Sequence, residues 1–265
     1  MAGLSAESVD ACAALVARGD ADRFAAVMAA PLAARGRLLV LYAFNLEVAR
    51  APWVTAEPMI AEMRLQWWRD VVAEAEAGRP ARAHEVAAPL AGLIGDAGLP
   101  VEVMDRLIVA RRWDVYRDAF ADAAALETYL EDTGAGLMWL AGRALGAGAG
   151  DEAALRAFGW AAGLAGYLRA VPELEARGRI PLLDGRPEAV AALAQEGLAR
   201  IAAARAGLRR LSRAVRPATL AGWQAAPLLK MVVAEPQRVA EGQVQLSEFA
   251  RRFGLLRAGL RGGAA

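Results

Sequence analysis

Three observations predict an all-α fold. Apolar residues recur at helical spacing along nearly the whole chain, alternating valine, threonine and aromatic runs of strand type are absent, and glycines and prolines cut the pattern into helix-length pieces. The spacing predicts about eleven helices. The first four run from Ala6 to Arg18, Ala21 to Ala30, Leu32 to Arg50 and Glu57 to Ala77, with Gly19 and Gly78 as C-caps. A short helix follows His84, and Pro100 opens a long one to about Phe120. The remaining five run from Leu126 to Leu145, Asp151 to Ala170, Pro187 to Ser212, Ala218 to Ala234 and Ser247 to Leu260. Gly146 to Gly150 is read as a turn rather than a linker, so a single domain over residues 1–265 is expected, and the final Gly262 to Ala265 is expected to fray.

Composition narrows the function classes. With 57% apolar residues the chain can bury a large core, and with 31 basic against 30 acidic residues it has no global field to recruit nucleic acid. Arginine supplies every basic residue except Lys230. The lone Cys12 excludes an internal disulfide and a thiolate zinc cluster, and is expected in the core beside Val9, Leu15 and Val16. The lone His84 is expected to be a solvated cap, which leaves no basis for histidine metal pairs or a Ser-His-Asp arrangement. The opening MAGLSAESVD has neither the basic-then-apolar pattern of a secretory signal nor an arginine-rich transit pattern, so the mature chain is expected to begin there. Uncharged stretches fall short of the ~20 apolar residues of a spanning helix.

Particular residues point further. Leu41 to Arg50 reads Leu-Tyr-Ala-Phe-Asn-Leu-Glu-Val-Ala-Arg, and Met63 to Arg69 reads Met-Arg-Leu-Gln-Trp-Trp-Arg. Downstream come Ala110-Arg111-Arg112-Trp113-Asp114 with Tyr129 and Gly136, then Gly163 to Val171 ending at Gly178-Arg179-Ile180-Pro181. In this order, over about Arg35 to Leu183, the pieces resemble the squalene/phytoene synthase family. The resemblance implies an isoprenoid-synthase-like helical bundle around a central cavity, with the helices Leu32 to Arg50 and Asp151 to Ala170 facing each other. Members that are enzymes hold magnesium there with two aspartate-rich motifs and transfer prenyl groups between diphosphates. Magnesium prefers hard oxygen ligands, and an allylic diphosphate leaves only when its charge is neutralised.

Carried onto this chain, the first motif's aspartates fall at Ala49 and Trp53 and the second's at Ala170 and Leu174. All four positions are apolar, so no catalytic residue and no metal ligand is assigned. No cofactor is expected, magnesium entering only if the chain is an enzyme after all. Glu47 lies about 200° around the helix from Ala49 and should point away from the cavity. Pro172 is expected to end its helix, leaving Glu173 and Glu175 as a solvated loop pair. A non-catalytic phytoene-synthase-like branch of the family, of the respiratory complex I assembly factor type, resembles this chain in Ala43 to Glu47, in Met63 to Trp68 and in Leu168-Arg169-Ala170-Val171-Pro172, where the alanine and proline are shared departures from the enzymes.

The expected function is therefore a non-catalytic assembly or scaffold factor for respiratory complex I, with complex I subunits or assembly intermediates as partners and a lipid or isoprenoid as a candidate cavity ligand. The alternative is a prenyltransferase using unrecognised acids. The implied location is cytoplasmic, peripheral on the inner face of the inner membrane. Tyr42, Phe44, Arg50, Asp114 and Arg169 are the candidate ligand-binding residues, since guanidinium forks suit anionic head groups; a salt bridge to an acid such as Asp114 is the plainer reading of the two arginines. Trp67, Trp68, Trp113, Trp139, Trp160 and Trp223 are read as packing first and cavity lining second. Gly159, Gly163 and Gly166 are read as close helix packing before cavity wall. From Arg200 to Arg216 there are six arginines and no acid; Arg205, Arg209, Arg210 and Arg213 are the candidate surface for an anionic membrane or a partner.

Overall fold

The computed structural model describes residues 5–264, so the expected start of the mature chain lies outside the described residues. These residues form twelve α-helices, joined by short 3₁₀ turns and one π segment, with no strand. Helix α1 (Ala6–Gly19) is capped by the Ser5 hydroxyl, which accepts from the Ser8 N–H at 3.2 Å. Gly19 is not a left-handed cap. It is the last residue of α1, and a Cβ there would collide with Leu46. Asp20 closes α1 and also caps α2 (Ala21–Met28) by accepting from the Arg23 N–H at 2.9 Å.

Helix α3 (Leu32–Arg50) is buried almost all round from Leu38 to Val48, which is why its apolar pattern has little sidedness. Helix α4 (Pro58–Glu76) packs beside it through Trp68, whose ring meets Phe44 edge-on at 5.5 Å. Gly78, at φ +66°, ends α4 as expected. His84 caps the next helix, accepting from the N–H groups of Val86 and Ala87 at 3.1 and 3.4 Å. Helices α5 (Ala87–Ala97) and α6 (Val101–Ala110) complete this side, and Cys12 is fully buried in its core.

Two of the long predicted helices are broken. The one opened by Pro100 stops at Ala110, and residues 111–115 continue as tight i→i+3 turns. The second reads α7 (Ala123–Leu130), a π segment (Glu131–Ala135) and α8 (Gly136–Ala144). In the π segment the Thr133 hydroxyl donates to the Tyr129 carbonyl at 2.6 Å. The glycine-rich stretch after α8 is a turn, with Gly146 at φ +95°.

Helix α9 (Glu152–Ala176) runs through Pro172 for a further turn beyond the expected stop. The proline costs one ladder bond, but buried Val171 and Leu174 hold the last turn against the bundle. Gly159 and Gly163 press against the π segment: a Cβ on Gly163 would lie 2.9 Å from the Gly134 Cα. Helix α10 (Pro187–Arg210) and helix α11 (Ala225–Ala234) pack on the far side of α9, separated by a 3₁₀ segment (Arg216–Gly222) where a longer helix was expected. Helix α12 (Glu248–Arg261) lies at the surface. As far as Ala264 the chain after it is tied down rather than frayed, Ala265 lying outside the described residues: Gly263 is buried, and the Ala264 N–H donates to the Thr219 hydroxyl at 3.0 Å.

Candidate functional site

The C-terminal half of α3, the turn after α6, the π segment and the C-terminal half of α9 enclose a cavity of about 600 Å³. Helical spacing decides what each wall presents. On α3, Tyr42, Asn45 and Ala49 share the inward face, followed by Arg50 and Trp53. On α9 the inward face carries Gly163, Gly166, Ala170, Glu173 and Leu174. Ala49 and Ala170 therefore line one cavity from opposing helices. All four positions where the resemblance places metal-binding aspartates, Ala49, Trp53, Ala170 and Leu174, border it.

The cavity's two acidic side chains are both engaged. Asp114, 3% exposed, takes Arg111 Nη1 at 3.3 Å and the Tyr129 hydroxyl at 3.2 Å, while Arg111 donates to the Tyr129 oxygen at 2.7 Å. Burial pushes the Asp114 carboxyl up, with Arg111 and Tyr129 pulling it back; burial likewise raises the Tyr129 phenol. Arg179 fixes this turn from α9's end, donating through Nη2 to the Asp114 carbonyl at 2.6 Å and through Nη1 to the Tyr116 carbonyl. That clamp ends the long helix predicted here. Glu173 pairs with Arg177 at 2.6 Å. Pro172 does not end α9, so Glu173 stands at the cavity edge and is not a loop residue.

Two further guanidiniums shape the mouth. Arg177 and Arg179 lie 4.7 and 5.2 Å from the Trp53 ring centroid, so positive charge stacks on the side chain at an aspartate position. Arg23, paired with Asp20 at 2.6 Å, also sits over the Tyr42 ring, whose hydroxyl burial pushes up to about 12. Arg50 borders the cavity with no carboxylate within 4.0 Å among the described residues. Asn45 Oδ1 is buried there without a hydrogen-bond partner. Magnesium requires several hard oxygens on one point. With one carboxylate held by Arg111 and the other by Arg177, this donor set does not fit it, and among the described residues no group of three His, Cys, Asp or Glu converges anywhere.

Other predicted site residues fall elsewhere. Phe44, about 200° from Tyr42 on α3, is fully buried against α4 and does not border the cavity. Arg169 turns outward to Asp22 at 3.1 Å, and neither reaches Asp114 nor borders the cavity. Glu47 opens onto a separate outer groove with Met63 and Trp67, as its angle from Ala49 requires. The six tryptophans named above are packing residues, and the seventh, Trp53, is the one that lines the cavity. Arg205, Arg209, Arg210 and Arg213 are exposed with no carboxylate within 4.0 Å among the described residues. They do not share one helix face, because α10 ends at Arg210. There Arg216 folds back onto the carbonyls of Leu211 and Arg209 at 3.1 and 2.9 Å.

Residues 16–182 match the family described as squalene/phytoene synthase. The chain belongs to that family. It is 28% identical over 181 residues to a Bos taurus protein named NADH dehydrogenase (ubiquinone) complex I, assembly factor 6, covering 67% of this chain and 54% of that one. The Homo sapiens protein of the same name is 27% identical over 163 residues, 61% of this chain and 48% of that one. The chain thus spans about half the length of these relatives. Two family enzymes share the fold. A squalene synthase, HpnC, from Alicyclobacillus acidocaldarius gives a TM-score of 0.75 at 17% identity, covering 87% of this chain and 94% of the other. A dehydrosqualene synthase gives 0.79 at 13% identity, covering 96% of both.

Proposed function

We propose that this squalene/phytoene synthase family protein is non-catalytic, needs no magnesium, and assists assembly of respiratory complex I, holding a lipid or isoprenoid in its central cavity. One observation carries the reading: the cavity of the fold is kept, while Ala49, Trp53, Ala170 and Leu174 put apolar side chains at every metal-ligand position around it. The names of the relatives supply the client. Four guanidiniums and two carboxylates border the cavity, and Arg50 lacks an acidic partner among the described residues, which suits an anionic head group above an apolar tail. Its complex I partners would be subunits or assembly intermediates. No helix of the described residues is long and apolar enough to cross a membrane. Attachment is proposed to be peripheral, on the cytoplasmic face of the inner membrane, through Arg205, Arg209, Arg210 and Arg213.

The alternative, a prenyltransferase, has Glu173 in its favour as an acid beside the second motif, but among the described residues no group of three carboxylate, histidine or cysteine ligands forms around it. Purified protein given magnesium and farnesyl or geranylgeranyl diphosphate decides between them. The proposal expects pyrophosphate release far below the ~10⁶-fold acceleration that marks the low end for enzymes. Pyrophosphate release at an ordinary turnover rate would overturn it.

A further inference from the structure

Helix α12 carries a stripe that the fold leaves unpartnered. Phe249, Phe253, Leu256 and Leu260, at spacings of four, three and four, are 78%, 54%, 60% and 81% exposed. They stand on one side of the helix. The opposite side is built from small residues that let α12 lie close on the body: Gly254 rests on the Trp223 ring, Ala258 is buried and Gly259 sits against Ala29. Asp22 of α2 anchors it through Arg251 at 3.5 Å. The helix is thus fixed in place with its large apolar residues turned outward, and the rings of Phe249 and Phe253 stack in parallel at 5.9 Å.

We propose that α12 lies in the headgroup layer of an anionic lipid bilayer, with these four side chains inserted and the neighbouring arginines on the phosphates. The proposal rests on the peripheral attachment suggested above and names the element that enters the membrane. Charge selects the occupant. Helix α12 carries four arginines and one acid, Glu248 at its first position, which pairs with Arg252 at 2.7 Å and leaves the helix net positive. Arg252 and Arg257 flank the stripe on its two sides, and both are exposed. At its end Arg261 shares a shallow cleft with Arg205 and Arg209, so the positive field of the α10 terminus continues onto α12. From Gly197 to Ala234 the chain carries no acidic residue.

Size argues against a protein occupant. A helix of 14 residues is about 21 Å long, so its stripe covers on the order of 200 Å², whereas a stable protein interface takes about 800 Å² per partner. A second copy docked stripe to stripe would also bring two net-positive helices together. A bilayer has neither problem, since phosphates meet the arginines while acyl chains meet the rings.

The test is co-sedimentation with phosphatidylcholine vesicles, with and without phosphatidylglycerol, at low and high salt. It compares the parent chain with Phe249→Ser/Phe253→Ser/Leu256→Ser/Leu260→Ser and with Arg205→Gln/Arg209→Gln/Arg210→Gln/Arg213→Gln. Because the stripe faces outward, each of its four side chains being more than half exposed, the serine variant should keep its helicity by circular dichroism. Its affinity for phosphatidylglycerol vesicles should fall by at least about tenfold, with part of the parent's binding surviving high salt because insertion is apolar. A polarity-sensitive dye on Phe253→Cys, in a Cys12→Ser background, should shift to the blue on vesicles and be quenched by brominated acyl chains. Unchanged binding by the serine variant, no binding by the parent, or conversion of a dimer to a monomer by the serine changes overturns the proposal. The assembly reading is tested separately, by whether each variant restores complex I activity in a strain lacking the gene.

Discussion

Asp114 holds Arg111 and Tyr129 in a buried cluster that neutralises the cavity floor. Removing the carboxylate leaves Arg111 buried without its counter-charge, so Asp114→Ala should destabilise the fold by about 3 kcal/mol or more, measured by urea unfolding. Asp22 behaves differently with pH. Burial raises its carboxyl, but hydrogen bonds from Gln224 and Arg169 and the charges of Arg169 and Arg251 bring it below the ordinary 3.8. A lowered acid stabilises the folded state above its unfolded value, and that contribution is lost as pH falls through the folded value. Asp22→Asn should therefore lower Tm at neutral pH and reduce the Tm loss between about pH 4 and the acid limit. At this scale the four degenerate positions were legible, because motif register alone places them and the helix period keeps them on one face. Glu173 was not, since a proline rule drawn from isolated helices carries no information on Leu174's burial. Arg169 was not either, because its neighbour Ala170 faces the cavity while one step of helix turns Arg169 toward Asp22.

At the level of elements, the crossing of α9 with the π segment fixes the width of the cavity. A side chain at Gly163 would meet backbone at Gly134, where nothing flexible can yield. Gly163→Ala should cost about 1–3 kcal/mol, whereas Gly166→Ala, with open space at its Cβ, should be neutral or gain up to about 1 kcal/mol from helix propensity. Paired thermal melts check both. Leu32–Arg50 was read to the residue, because Pro31 before it and Pro52 after it leave one register. The helix after Pro100 was overrun, since apolar periodicity continues past Ala110 while the Arg179 clamp that ends it comes from a distant part of the chain. Helix α12 was placed within a residue at each end, yet its stripe reads in sequence like any core face.

For the whole molecule, the fold is that of solved squalene and dehydrosqualene synthases, while tryptophan, alanine and leucine stand where the resemblance places metal-binding aspartates, and arginines border the mouth. If the cavity holds an anionic lipid, Arg50→Gln should weaken that lipid's binding by roughly tenfold, as loss of one charge-assisted contact implies, and calorimetry with the delipidated protein measures it. The bundle and its cavity were legible because ordered motifs report a register shared across the family. The client was read only through the resemblance to the assembly-factor branch, and the occupant was read no further than a candidate lipid or isoprenoid, because it is recognised through a surface that no motif encodes. The most direct measurement deletes the gene in its own host and follows NADH:quinone oxidoreductase activity beside total isoprenoid content. The account predicts that complex I activity falls while isoprenoids stay at the parental level, and that the Asp114-containing parent gene restores it. Depleted isoprenoids with normal complex I activity would contradict it.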